Sequence, residues 1–299
     1  VLHIGNYKVA GEKYNHNEMS EEKKESIKNI KDKIFEGFVK LVKDKRGTDI
    51  EEEILKGDLI FAGKEKALEY KLIDGVADYD EIGINYKEDT VSLEDYVSMS
   101  KEKKEKAKDT IAVINLEGVI DGRNSKKSIT YENVCDKLEI LEEMKNLKGL
   151  VLRINSPGGS ALVSEKIYKK LKKLTLPIYV SMGDLCASGG YYIATTGQKL
   201  FANSITLTGS IGVVMMYPEV VETLKKLDVN LEGFEKGTGF DMLNPFEKLG
   251  ENSKEKIIYN MNEVYTEFKE HVMKARGMNE EELEKIAQGR VWLGSEAKN

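Results

Sequence analysis

The stretch GLVLRINSPGGSALVSEKIYKKL (149–171) decides the fold. Gly149–Ile154 is an apolar run of strand length. Asn155-Ser156-Pro157-Gly158-Gly159-Ser160 is a glycine-rich turn, and Leu162–Leu174 carries apolar residues at helical spacing. A strand that feeds a helix through such a turn is the repeating unit of a layered α/β fold. Working outward, the same alternation continues. Ile111–Leu116, Ile178–Met182, Lys199–Ala202, Ile211–Met215 and Val229–Phe234 read as strands. Tyr131–Asn146, Gly189–Thr196 and Glu219–Leu227 read as helices. The alternation between residues 110 and 234 predicts mainly parallel strands.

The flanks differ. Residues 20–46 place Ile27, Ile30, Ile34, Phe38 and Leu41 on one helical face, with Ser20 as N-cap. A short helix near 50–56, a strand-like DLIFAG (58–63) and a helical segment at 64–71 follow. Residues 78–110 are charged and polar and read as a connector. Residues 251–276 are helical again, then come a short helix (279–287) and a strand-like RVWLG (290–294).

The two flanks resemble each other. Phe35, Phe38, Val42, Arg46 and Gly47 match Tyr265, Phe268, Val272, Arg276 and Gly277 at an offset of 230. Gly57 matches Gly289, and GNYK (5–8) faces GTGF (237–240), both at an offset of 232. Similar amphipathic helices arise by chance, but the Arg-Gly pair, the aromatic pair and the flanking glycines favour an internal repeat. On this expectation residues 1–77 are the C-terminal part of a first copy, 78–110 a connector, and 111–299 a second copy truncated at its end.

Composition narrows the function. The 299 residues carry 46 Lys+Arg against 52 Asp+Glu, a net charge of −6, which gives nucleic acid no electrostatic footing. The mixed run Lys101–Lys108 reads as a solvated helix or linker. Two cysteines, Cys135 and Cys186, lack zinc-ligand spacing and read as buried free thiols. No apolar run reaches membrane-spanning length. Among the three histidines, His3, His16 and His271, the last two lie in polar surroundings and read as surface residues.

Two glycine turns can carry chemistry. In 155–160 the backbone can approach a ligand and offer N–H groups at a helix start, although a plain strand–helix turn has the same composition. In Met182-Gly183-Asp184-Leu185-Cys186-Ala187-Ser188-Gly189-Gly190-Tyr191-Tyr192 a serine stands among small residues before a helix, as at a nucleophile elbow, although the sequence is not GxSxG. Tight helix–sheet packing is the alternative use of such residues. A nucleophilic Ser188 needs a base. The histidines lack a supporting context and carboxylates are too many to choose among. A lysine is the remaining option, neutral only if desolvated. Composition does not pick which lysine, though Lys8 stands where the other copy has Phe240.

The chain resembles the signal peptide peptidase A (protease IV) family of membrane-bound serine peptidases. LRINSPGGS (152–160), SMGDLCASGGYYIA (181–194), ITLTGSIGV (205–213) and IAQGRVWLGSEAK (286–298) carry the likeness to the family's C-terminal half. IGNYKVAGE (4–12), NEMSEEKKES (17–26) and KALEYKLID (66–74) resemble the end of its N-terminal half. The resemblance implies a crotonase/ClpP-like fold in the long, tandem-repeat form, and a Ser/Lys dyad. By it Ser188 is the nucleophile, Lys8 the general base, and Ser210 the lysine's hydrogen-bond partner. Gly159 and Gly189 supply the oxyanion-hole amides. Asp184 and Cys186 depart from the small or apolar residues commoner at those places. The resemblance further implies peptide substrates such as cleaved signal peptides, and no cofactor or metal. It implies a dome-shaped homotetramer, and an extracytoplasmic catalytic domain held to the membrane through an N-terminal segment missing here. A crotonase-type acyl-CoA enzyme and a non-catalytic membrane-associated scaffold are the competing readings, and neither uses Ser188 or Lys8.

Overall fold

The computed structural model describes residues 2–9, 18–59, 63–77, 91, 109–123, 128–144, 146–229 and 240–298. In chain order these form β1 (Leu2–Ile4), α1 (Glu21–Arg46), α2 (Glu51–Lys56), α3 (Lys64–Glu69), β2 (Thr110–Glu117), α4 (Tyr131–Glu142), β3 (Leu147–Ser156) and α5 (Ala161–Lys172). There follow β4 (Ile178–Ala187), α6 (Gly189–Ala194), β5 (Lys199–Phe201), β6 (Leu207–Gly209), β7 (Val213–Met215), α7 (Val221–Lys226), α8 (Glu251–Arg276), α9 (Glu280–Ile286), β8 (Val291–Leu293) and α10 (Gly294–Ala297). Residues 1–28 and 109–299 make one compact unit, and residues 29–108 make another.

In the first unit the main sheet runs in the order β2-β3-β4-β6-β8, with β5 also paired to β4. Every pairing is parallel except β6 with β8, so the fold is the mainly parallel α/β layer the alternation predicts. Parallel strands covered on both faces lose their polar alternation. The middle of β3 shows this: Leu150, Leu152 and Ile154 are fully buried, against Leu138 of α4, Ile167 and Leu171 of α5, Val180 of β4 and Ile193 of α6. Each such aliphatic side chain contributes about 1.5–3 kcal/mol relative to exposure. Thr130 caps α4, and Ser160 caps α5 through Val163 N–H at 3.3 Å. A second apolar cluster joins Tyr168 of α5 and Tyr192 of α6 to Tyr265, Phe268 and Val272 of α8.

Strand β4 departs from expectation. The spacing predicts a strand end at Met182 and a turn through 182–192, yet β4 continues to Ala187. Its register against β3 breaks after Ile154↔Met182 and resumes at Ser156↔Cys186. The excursion is closed by the Asn155 side chain, which accepts from Leu185 N–H at 3.1 Å. Gly183 is needed there, because a Cβ would stand 2.8 Å from the Asn155 side chain. Two further strands, β1 and β6, are too short for periodicity to reveal. The strand expected at Ile211–Met215 begins at Val213. The helix expected over Tyr131–Asn146 ends at Glu142, after which the chain turns into β3.

Helices α1 and α8 each have 26 residues and begin at positions 230 apart. Each is followed by a left-handed glycine, Gly47 (φ 69°) and Gly277 (φ 67°). Half of DLIFAG (58–63), most of Val229–Phe234, most of the connector, the Lys101–Lys108 run and His16 lie outside the described residues. Neither cysteine is in a disulfide; Cys186 is buried and Cys135 half-buried. No helix among the described residues is long and apolar enough to cross a membrane.

Candidate active site

Register brings the site together. Strand β4 ends with Ala187 beside Gly209 of parallel β6, so the next residues of the two strands, Ser188 and Ser210, are neighbours. Both serines leave their strands in the left-handed region, each at φ 53°. L side chains rarely adopt this conformation, and strain of this kind is held only by a surrounding structure that dictates it. Ser188 N–H donates to Gly209 O at 2.9 Å, and Ser188 O accepts from Tyr192 N–H at 2.8 Å, the first turn of α6. Ser210 N–H donates to Arg290 O at 2.7 Å. The Ser188 hydroxyl is thereby thrust forward from a strand–helix junction.

Lys8 arrives from the other end of the chain. β1 pairs antiparallel with β7, Ile4 opposite Val213, and a turn opened by Gly5 (φ 104°) returns the chain toward Ser210. The loop at Gln288–Gly289 seals this turn: Tyr7 N–H donates to Gln288 O at 2.8 Å, and Gly289 N–H to Ile211 O at 2.7 Å. Space there is minimal. A Cβ on Gly289 would lie 2.5 Å from Lys8 Cβ, and one on Gly5 would lie 2.4 Å from the Gln288 carbonyl carbon.

The Lys8 Nζ lies 3.0 Å from Ser188 Oγ, 2.8 Å from Ser210 Oγ and 2.9 Å from Ser210 O. Burial pushes its ammonium down to about 8, and no carboxylate pairs with it among the described residues. As an ammonium, Lys8 donates to all three oxygens. As a neutral amine it can keep two N–H bonds to Ser210 Oγ and O and turn its lone pair to the Ser188 hydroxyl, which then donates to it. An ammonium has no lone pair for that role, so the arrangement can take a proton from Ser188 only when Lys8 is neutral.

Opposite the lysine lie the two glycine turns. Gly159 (φ 151°) presses on Ile120, where a Cβ would meet the carbonyl oxygen at 2.0 Å. Gly158 sits against the nucleophile turn, where a Cβ would lie 2.6 Å from Gly189 N. The amides of Gly159 and Gly189 have no acceptor among the described residues. A cavity of about 290 Å³ opens between them and Ser188, lined also by Ser164, Tyr192, Val213 and Phe268. Two free N–H groups beside a serine hydroxyl can hold the negative charge of a tetrahedral intermediate.

All five residues singled out from sequence, Ser188, Lys8, Ser210, Gly159 and Gly189, therefore meet at one cavity or its edge. Three more contribute without having been foreseen: Gln288 and Gly289, which fix the lysine turn, and Ser164, whose Oγ would lie 2.5 Å from a Cβ on Gly189. The offset of 232 marked Gly289 as paired with Gly57 but not as a neighbour of Lys8. His271 corrects an expectation. It is half-buried, not a surface residue, stacked on Tyr168 at 3.9 Å and bonded to Glu165 at 3.2 Å, because α8 turns that face inward.

Comparison with known proteins finds peptidases. Residues 170–299 match Peptidase family S49, and residues 102–209 match the Clp protease family. The chain is 30% identical to Protease 4 of Haemophilus influenzae, over 99% of its own length and 52% of that protein's. It is 32% identical to the chloroplastic serine protease SPPA of Arabidopsis thaliana, over 99% of its length and 47% of the relative's. It is 35% identical to a putative signal peptide peptidase SppA of Enterococcus faecium, over 58% of the chain and 51% of the relative. The chain thus spans about half the length of the curated relatives it matches. The family match over residues 170–299 and the relatives along nearly the whole chain converge: the chain is similar to the Protease 4 and SppA peptidases of Peptidase family S49.

Proposed function

We propose that this chain carries the active site of a serine endopeptidase working through a Ser188/Lys8 dyad on peptides of membrane origin, such as cleaved signal peptides. The carrying observation is the Lys8 amine, buried, without a carboxylate partner, 3.0 Å from Ser188 Oγ. Neutral Lys8 takes the Ser188 proton as Oγ attacks the scissile carbonyl. The Gly159 and Gly189 amides receive the developing oxyanion. Lys8, now an ammonium, returns the proton to the leaving amine, and a water deprotonated by the same lysine hydrolyses the acyl-enzyme. Ser210 orients the amine throughout.

A crotonase-type acyl-CoA reading shares the paired amides but has no use for Ser188 or Lys8, and a scaffold would use none of these groups. The cavity wall, which includes Val213, Tyr192 and Phe268 and no charged side chain, suits an uncharged side chain next to the cut bond. The names of two relatives, a signal peptide peptidase and Protease 4, support the substrate class. The same proposal includes the repeat, with residues 1–77 closing a first copy. It also includes attachment to the membrane through sequence outside this chain, an extracytoplasmic catalytic domain, and a homotetramer. The test is labelling by a fluorophosphonate together with hydrolysis of an apolar fluorogenic peptide. Ser188 is expected to be labelled, and Ser188→Ala and Lys8→Ala to lose hydrolysis. Full activity in either variant would sink the dyad.

A further inference from the structure

Behind the active-site cavity lies a polar cluster that the proposed mechanism does not use. Its centre is the carboxylate of Glu165, on α5 one turn beyond the Ser160 cap. Glu165 Oε2 accepts from Tyr192 O–H at 2.5 Å and faces His271 Nε2 at 3.2 Å, which requires the Nε2–H tautomer or the charged ring. Its other oxygen lies 2.5 Å from Lys169 Nζ. Glu267 stands close by, with Lys169 at 3.8 Å. Three helices thus meet at one carboxylate: α5 (Glu165, Tyr168, Lys169), α6 (Tyr192) and α8 (Glu267, His271). Burial opposes ionisation of Glu165, but the bonds from Lys169 and Tyr192 outweigh it and hold the group below the ordinary carboxylate range. Burial and the Glu165 carboxyl beside it push Glu267 up, and burial pushes His271 down.

Tyr192 belongs to both places. It lines the cavity beside Ser188, and its hydroxyl reaches back to Glu165. Its aromatic neighbours do not set its direction firmly. Phe268 is tilted at 4.8 Å, while Tyr168 and His271 lie edge-on at 5.7 and 5.1 Å. Such contacts tolerate small rotations, whereas a hydrogen bond to a carboxylate is short and directional. We propose that Glu165 is a specificity-determining residue acting through Tyr192: it locks the tyrosine ring as the cavity's far wall and so caps the size of the substrate side chain admitted beside Ser188. Glu165 does not touch substrate, so it is a positioning residue. The proposal rests on the reading of Ser188 as nucleophile and of the cavity as the seat of the residue preceding the cut bond.

The experiment compares two fluorogenic peptides that differ only in that residue, Ala or Phe, on the full-length protein. Tyr192→Phe removes the hydroxyl and keeps the ring. The Phe-to-Ala ratio of kcat/KM is expected to rise roughly tenfold, the scale on which an apolar pocket discriminates by size. Glu165→Gln keeps shape and an acceptor but loses the charge that gathers Lys169 and His271, and it is expected to move the ratio in the same direction by less. It carries the test if Tyr192→Phe does not fold. Loss of packing alone would lower both substrates together and leave the ratio in place. A ratio within about twofold of the parent's, in folded variants whose Ser188 still takes a fluorophosphonate, overturns the lock and leaves the nucleophile standing. A parent protein in which Ser188 is never labelled overturns both.

Discussion

Ser188 and Ser210 stand side by side at the first step beyond the Ala187↔Gly209 pair of two parallel strands, and both have the same positive φ of 53°. One hydroxyl is aimed at the cavity and the other at the lysine that serves the first. The pairing makes the proposed nucleophile and the proposed lysine holder a single rigid object, since neither can shift without breaking the β4–β6 ladder.

Lys8→Met should trade activity for stability. Burial lowers the folded-state value from 10.5 to about 8, so below pH 8 the unfolded chain gains by holding the proton that the fold resists. The shift corresponds to about 3 kcal/mol against the native state at neutral pH. This penalty is complete below pH 8 and fades as pH rises from about 8 to 10.5. Urea unfolding should therefore find the variant more stable than the parent at pH 7, by an amount that shrinks at pH 10. Hydrolysis should fall by at least roughly 100-fold, the usual worth of a general base. Equal stability at both pH values would contradict a desolvated lysine.

Activity should rise with pH. Only neutral Lys8 can accept the Ser188 proton, so kcat/KM should climb through a midpoint near 8 and level off above it. The rate of Ser188 labelling by a fluorophosphonate should follow the same curve. A flat profile from pH 5 to 9 would remove Lys8 as the base.

Ser210→Ala should slow the reaction without moving that midpoint upward. The hydroxyl accepts from Lys8 Nζ at 2.8 Å, and such a bond favours the charged amine more than the neutral one. Its loss leaves the pKa unchanged or lower but frees the amine to rotate. Plateau activity is expected to drop roughly tenfold or more. An upward move of the midpoint would mean that Ser210 does something other than hold the amine.

Gly289→Ala should silence the site from outside it. The new methyl would fall 2.5 Å from Lys8 Cβ at a φ of 76°, so both the backbone and the lysine turn must give way. The conformational strain costs about 1 kcal/mol. Circular dichroism should show the sheet retained while Ser188 labelling is lost. Unchanged labelling would mean that the turn has slack the geometry does not show.

The two thiols should differ sharply. Cys186 is fully buried on β4, and burial pushes its thiol up to about 12. Cys135 is half-buried. One thiol per chain should react with a disulfide reagent in the native protein and two after denaturation. Two fast native thiols would contradict the packing of β4.

Much of this was legible before any coordinates. Gly149–Ile154 announced a covered parallel strand because all its residues are apolar or aliphatic in stem, and Ser188 announced itself by the small residues that a sharp strand–helix junction demands. Lys8 was not legible from local chemistry. A lysine becomes a base through burial, which is a property of the surroundings and not of its neighbours in sequence, so only the likeness of GNYK to a known family pointed to it. β1 and β6 were invisible for another reason: three residues hold no period, and their existence depends on pairing with β7 and β4. The extension of β4 through Gly183 was hidden because a glycine next to an aspartate normally signals a turn. Here the Asn155 side chain supplies the missing strand bond instead. His271 misled for a similar reason, since polar neighbours along α8 mask a buried face made by Tyr265, Phe268 and Val272.

The separation of 180 positions between Lys8 and Ser188 makes their meeting depend on the completed fold. In an unfolded chain the lysine lies in water and its amine is an ordinary protonated cation. It loses that proton readily only when β1 has paired with β7 and the Gln288–Gly289 loop has shut over the turn, a closure made by residues far along the chain from Lys8. On the proposed dyad, reactivity is thus withheld from unfolded copies until the β1–β7 pair and the Gln288–Gly289 loop have formed.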